Sequence, residues 1–278
     1  MAGQTQSRPL RRTKKPITRV YARDLWQGTH GLVRKQGALL FLMALPFGMA
    51  DVWLEQSVLK LYPQGIRDLR VVSIASLYVS MSIAYLASAA LSTIALPHIE
   101  GANAAQLTRR GFGWRQLGSA LTIAALAPLG TIAGLAVAIV PGIIVWLSWV
   151  AAAPAAAFNG EGPFEAIRHS ARLTWGSRRS LFYVFATVQI VALVLVSAIA
   201  VAMGQSVLAP FEDPKPLSRV EAIISGLVET VQIGLSAAIC CVAYSKLKTA
   251  EKLRAETTER EFKAKSRVSQ GCSNLAVK

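Results

Sequence analysis

An all-α fold, a polytopic membrane helix bundle with six transmembrane helices and short interfacial helices on the cytoplasmic side, is predicted by three observations. Hydrophobic residues make up 53% of the 278 residues and charged residues 16%, where soluble domains carry roughly 25% charged. Between Gln116 and Gly160 lie 45 residues without an Asp, Glu, Lys or Arg, more than twice the ~20 that cross a bilayer as a helix. The basic residues gather in two tails and two loops beside apolar segments, the pattern that orients helices in a membrane.

The elements follow in order. Residues 1–36 form a basic cytoplasmic N-terminal tail, polar over 1–19 and with a possible short surface helix over 20–35. Leu25, Trp26, Leu32 and Val33 would lie on one side of that helix. Residues 37–248 form the six-span membrane domain. The spans are expected at about 37–54, 71–97, 117–140, 142–158, 181–203 and 220–244. The uncharged block is too long for one crossing of a ~30 Å hydrocarbon core, so it must fold back. Pro141-Gly142 is the expected outer turn. Residues 249–278 form a charged cytoplasmic C-terminal tail, helix-prone at first and without fixed structure over its last ~10 residues. No cleavable signal peptide is evident, because the first apolar run begins only near Gly37.

Charge placement sets the expected orientation. Both tails and the 98–115 and 159–179 loops hold twenty-five Lys and Arg residues, and the other side holds five: Lys60, Arg67, Arg70, Lys215 and Arg219. Lys and Arg favour the cytoplasmic side, so both termini are expected in the cytoplasm of a bacterial inner (plasma) membrane. The formal net charge of +15 then suits anionic lipid of the cytoplasmic leaflet. Arg8, Arg11, Arg12, Lys14, Lys15 and Arg19 would each add ~1 kcal/mol of attraction, although orientation alone also accounts for them. No nucleic-acid-binding signature accompanies the charge.

Helices in lipid associate through close backbone approach, so small residues mark expected contact faces. The second span carries Ser76, Ser80, Ala84, Ser88 and Ser92 at every fourth position. The third carries Gly130 and Gly134, and the sixth Gly226, Thr230, Gly234 and Ala238. A compact bundle uses these ridges internally; a homo-oligomer or a membrane protein partner would use one of them externally.

After the fourth span, Asn159-Gly160-Glu161-Gly162-Pro163 breaks the helix and a short helix of about ten residues follows. Phe164, Ile167, Ala171 and Trp175 share one face at helical spacing. Arg168, Arg172, Arg178 and Arg179 supply a basic flank, and Glu165 is placed to pair with Arg168 or His169. Such a collar suits the headgroup interface. The 98–115 loop repeats it more crudely, with Asn103 as cap, then Leu107, Arg109, Arg110, Gly111, Phe112 and Trp114, and Leu107-Thr108 matching Leu173-Thr174 hints at a duplication.

A proline-glycine break at Pro141-Gly142, an apolar span and then Ala166, Ser170, Leu173, Thr174 and Gly176 in an A-x-x-x-S-x-x-L-T-x-G order resemble a known family. It is the bacterial six-helix membrane domain also found attached to glycerophosphodiester phosphodiesterases, and its stand-alone relatives. The resemblance covers about 30–250 and is sharpest over 140–182. It implies that catalysis in the fused proteins belongs to a separate soluble barrel, which nothing here matches, and that the membrane domain has a lipid-associated role.

Glu229 is the candidate intramembrane polar residue. It lies about ten residues into the sixth span, ~15 Å deep, with Ser225, Gln232 and Ser236 on its face. A carboxyl at that depth invites a proton site or a polar cavity. The alternatives are a protonated group bonded to a neighbour such as Gln189, or a span that starts later. Asp51, with Glu55 one turn on, is expected at a solvated outer rim. His30, His98 and His169 are scattered, and His98-x-Glu100 is not metal spacing, so no metal and no cofactor is expected. Cys240, Cys241 and Cys272 lack C-x-x-C spacing, and the adjacent pair reads as buried hydrophobes. Ser245-Lys-Leu-Lys248 matches S-x-x-K by letters only, and no P-loop or dinucleotide fingerprint occurs. The expected role is therefore non-enzymatic: a lipid-interacting or membrane-assembly module. The alternative is a small transporter or permease subunit with Glu229 in a polar path. A water-accessible cavity reaching Glu229 favours transport, and a solid bundle favours the module.

Overall fold

The computed structural model describes residues 20–61, 69–100, 113–202 and 218–275. Among them no strand occurs, and eight helices follow in order: α1 Ala22–Leu61, α2 Leu69–Glu100, α3 Trp114–Val137, α4 Ile139–Trp149, α5 Ala152–Asn159, α6 Pro163–Thr174, α7 Arg178–Ala202 and α8 Arg219–Leu275. Counting α4 and α5 as one interrupted crossing, six are long and apolar enough to span a membrane. The chain is an all-α polytopic bundle. Its compact unit is Val20–Lys248. The basic tail Arg8–Arg19, the loop residues Asn103–Phe112 and the outer cations Arg67 and Lys215 lie outside the described residues.

Several boundaries differ from the sequence expectation. The surface helix expected over 20–35 is the first part of α1, which runs unbroken for 40 residues, about 60 Å. Leu25, Thr29 and Leu32 recur on one face and are buried, which holds this part against the bundle. A Cβ on Gly28 would overlap Val242 of α8, and the Val20 amide donates to Ser177 Oγ at 3.3 Å. The turn between the third and fourth crossings is not at Pro141-Gly142. It falls at Ala138, which is extended (φ −168°, ψ 158°) between α3 and α4. Proline lacks an N–H, and the first turn of a helix needs none, so Pro141 sits in the first turn of α4 and does not turn the chain. At the other end α8 stays helical to Leu275, well into the last ~10 residues, which were expected to lack fixed structure.

The fourth crossing breaks at Val150-Ala151. Pro154 cannot bond the Val150 carbonyl and its ring crowds that group. The bundle repairs the gap from α6. Ser170 Oγ accepts from the Ala151 amide at 3.1 Å and donates to the Ser148 carbonyl at 2.7 Å, and Ser170 is fully buried. The alanines of α5 are also buried, and their small side chains let α2, α3 and α6 close around it. Gly160 ends α5 with φ 71°, and Gly176 turns the chain into α7 with φ 90°, left-handed conformations that favour glycine.

The small-residue ridges serve the fold unequally. A Cβ on Gly134 would come within 2.9 Å of the Gly142 Cα, and Gly130 lies under the Trp149 ring, so the third-span motif closes α3 on α4. On α8, Gly226 meets Met49, Thr230 meets Gly48, and Gly234 meets Ala44. The second-span ridge departs from expectation. Ser88 and Ser92 are buried, but Ser76, Ser80 and Ala84 are half-exposed. Ser80, Ala84 and Ser88 border a cavity where a solid contact was expected.

Candidate functional site, a cavity within the bundle

The crossing of α1 and α8 builds the site. Gly48 lets the Thr230 backbone approach α1 directly. That contact brings Asp51, one turn after Gly48, to the level of Glu229. Asp51 is not on a solvated rim. It is 3% exposed, because α1 continues ten residues beyond it to Leu61, and Ser80 Oγ of α2 donates to its Oδ1 at 2.9 Å. Glu55 lies close enough for its charge to interact with Asp51 and Glu229.

Asp51 and Glu229 both line a cavity of about 350 Å³. Every one of the six crossings contributes: Asp51 from α1, Ser80 from α2, Thr131 from α3, Trp146 from α4, Phe185 from α7 and Glu229 from α8. The wall is mainly apolar. Gln232 and Ser236 line it with Glu229, whereas Ser225 does not. Gln189, a candidate partner for Glu229, instead accepts a hydrogen bond from Gln232 Nε2 at 2.8 Å; this ties α7 to α8. Leu77 and Gln189 line the cavity and are both exposed, so it is not sealed.

Three lining residues carry no signal in the sequence. Trp146 and Phe185 meet edge to face with centroids 5.0 Å apart. Tyr85 is 6% exposed, and its buried hydroxyl has no hydrogen-bond partner among the described residues. Apolar spans are rich in aromatics, and only the packing shows which of them face inward.

The collar has two faces, of which one was expected. Phe164 and Trp175 point outward, 65% and 68% exposed, with Arg168, Arg172 and Arg179 also exposed. Ile167 is half-exposed, and Arg178 stacks its guanidinium 4.8 Å from the Trp175 ring centroid. The opposite face of Ala166, Ser170, Leu173 and Thr174 is buried, so α6 is part of the bundle and not a helix lying on it. His169 has a partner the sequence did not suggest: its Nδ1 lies 2.8 Å from Glu161 Oε1, because the loop from Gly160 to Gly162 turns Glu161 back over α6. Asn159 Nδ2 donates to Glu161 Oε1 at 2.7 Å and to the Tyr244 hydroxyl at 2.6 Å. Tyr244→Phe is expected to lower stability by about 1 kcal/mol, read as a fall of a few degrees in Tm by differential scanning fluorimetry in detergent.

Elsewhere the candidates stay apart. Among the described residues no group of three or more His, Cys, Asp or Glu is placed to hold a metal ion, and Cys240 and Cys241 are buried free thiols. No family model, curated protein or solved structure matches the chain.

Proposed function

We propose that this chain is a small permease-type membrane protein that takes a solute into the cavity between its six spans. The observation that carries the reading is the cavity itself: it reaches Glu229 and Asp51 from every crossing. Intramembrane carboxyls are costly unless they serve a site or pathway, and about 350 Å³ is within the range of small-molecule pockets. The role is non-enzymatic in this reading. The weight of Lys and Arg supports cytoplasmic termini in a bacterial inner membrane. Basic tail residues would then face anionic lipid.

A second reading, a lipid-interacting module, draws support from the outward Phe164 and Trp175 beside Arg168 and Arg172, side chains suited to a headgroup layer. The resemblance to the membrane domain of glycerophosphodiester phosphodiesterases belongs with this second reading.

Cysteine accessibility separates the two. In a cysteine-free full chain kept in membrane vesicles, Ser236→Cys is expected to react with a water-soluble methanethiosulfonate reagent at least ~10 times faster than Ile190→Cys, which is 61% exposed on the outer surface of α7. A thiol reacts as the thiolate and needs water. Equal slow rates at both positions would remove the permease reading.

A further inference from the structure

We propose that the cavity is a binding site for a lipophilic ammonium cation, an amine carrying an aromatic or alkyl body. The inference rests on the cavity reading above and names its ligand class. Four observations converge on it.

The first is charge. Asp51 and Glu229 line the cavity and Glu55 stands near both. No Lys, Arg or His among the described residues lines it, so the wall offers an anion no partner and a cation two. A carboxylate inside lipid is stabilised by an opposite charge close by, and in this cavity a bound cation supplies what the described residues do not.

The second is the aromatic pair. The π-face of a tryptophan attracts a cation, ammonium included. Trp146 and Phe185 line the same cavity as the carboxyls. They also give an apolar body a surface to pack on.

The third is an unused polar group. The Tyr85 hydroxyl is buried without a partner among the described residues. A polar group left so costs about 1–3 kcal/mol. Its oxygen is free to accept an N–H, which an ammonium ligand brings.

The fourth is access. Leu77 of α2 and Gln189 of α7 border the cavity and are exposed, so the cavity is not closed off there. The outer half of α7 past Gln189 is exposed on nearly every side, with Ile190, Val191, Leu193 and Val194 each more than half exposed. A solute already dissolved in the bilayer reaches such an opening directly. Lipophilic cations collect there, and strongly hydrated ones do not.

The test uses the purified full chain in lipid nanodiscs and a matched pair of probes at pH 7: phenethylammonium and its neutral counterpart 2-phenylethanol, which share size and ring. Isothermal titration is expected to show the cation bound at least ~10 times more tightly than the alcohol, about 1.4 kcal/mol. In the Asp51→Asn, Glu229→Gln double variant, which keeps side-chain shape, the preference is expected to fall to less than ~2-fold. Glu165→Gln, on the exposed face of α6, is expected to leave it unchanged. If the alcohol binds the wild type as well as the cation, or if the double variant keeps its preference, the cation assignment is wrong. The thiol-accessibility result for Ser236→Cys stands independently, so a permease for another solute class would still be recognised.

Discussion

Gly48→Val is expected to prevent recovery of folded, monodisperse protein, or to lower its Tm by on the order of 10 °C where protein is recovered. A Cβ at position 48 would lie 2.7 Å from the Thr230 Cα and nearer still to its amide nitrogen. Backbone atoms inside a packed helix cannot swing aside as a flexible side-chain end does, so the two helices must separate. Overpacking costs about 1–3 kcal/mol where side chains yield, and more is expected where none can. Helix association in lipid has no hydrophobic drive to compensate for lost contact. Separation would also unseat Gly226 from Met49 and Gly234 from Ala44, and it would pull Asp51 away from the level of Glu229. Gly31→Val is the control. It lies in the same helix with nothing within 4 Å of an added Cβ, and helix propensity slightly favours valine over glycine, so its Tm is expected to match or slightly exceed the wild type's. The check is size-exclusion profile and thermal unfolding of both variants in one detergent. Equal behaviour would mean that the α1–α8 crossing does not hold the bundle.

The reach of sequence reasoning can be traced through particular residues. Hydropathy and the uncharged stretch from Gln116 to Gly160 located all six crossings, because in lipid every backbone group must be satisfied within a helix. Glycine spacing on α8 pointed to a real contact, since close approach leaves a mark in composition. The partner of that contact was not read: on α1 it is the single pair Ala44-x-x-x-Gly48, too short a ridge to stand out. Asp51 was misplaced because its depth depends on where α1 ends: the apolar run stops near Leu54, but the helix continues to Leu61, where Lys60, Pro63 and Gly65 give the stop signal. The inward Tyr85, Trp146 and Phe185 were invisible for a related reason. A span that is apolar all round does not say which face meets protein and which meets lipid. The buried face of α6 was hidden differently. Ala166, Ser170 and Thr174 are small or polar, and a hydrophobic-periodicity search passes over the residues a tight contact needs.

Ser170 shows what such a contact does, and Ser170→Ala is expected to cost about 2–4 kcal/mol. Its hydroxyl closes the gap in the fourth crossing by serving Ala151 N–H and Ser148 C=O at once. Alanine fits the space, so no strain enters. What is lost is two hydrogen bonds to backbone groups at a fully buried site. Each buried group left unpaired costs about 1–3 kcal/mol, and water cannot replace the hydroxyl where nothing is exposed. The expected Tm decrease is about 5–15 °C for a chain of this size. Thr187→Ala deletes a hydroxyl that bonds the carbonyl of Tyr183 in its own helix on an exposed face. That carbonyl keeps its helical partner, and the change is expected to stay within about 0.5 kcal/mol. Ser170→Thr restores the hydroxyl but adds a methyl group at a site with no free surface, so it is expected to recover only part of the loss. A Ser170→Ala protein as stable as the wild type would show that the break at Val150-Ala151 is satisfied some other way. The α6 collar would then be held by Leu173 and Ala166 alone, and the tie between collar and span would not shape the cavity above it.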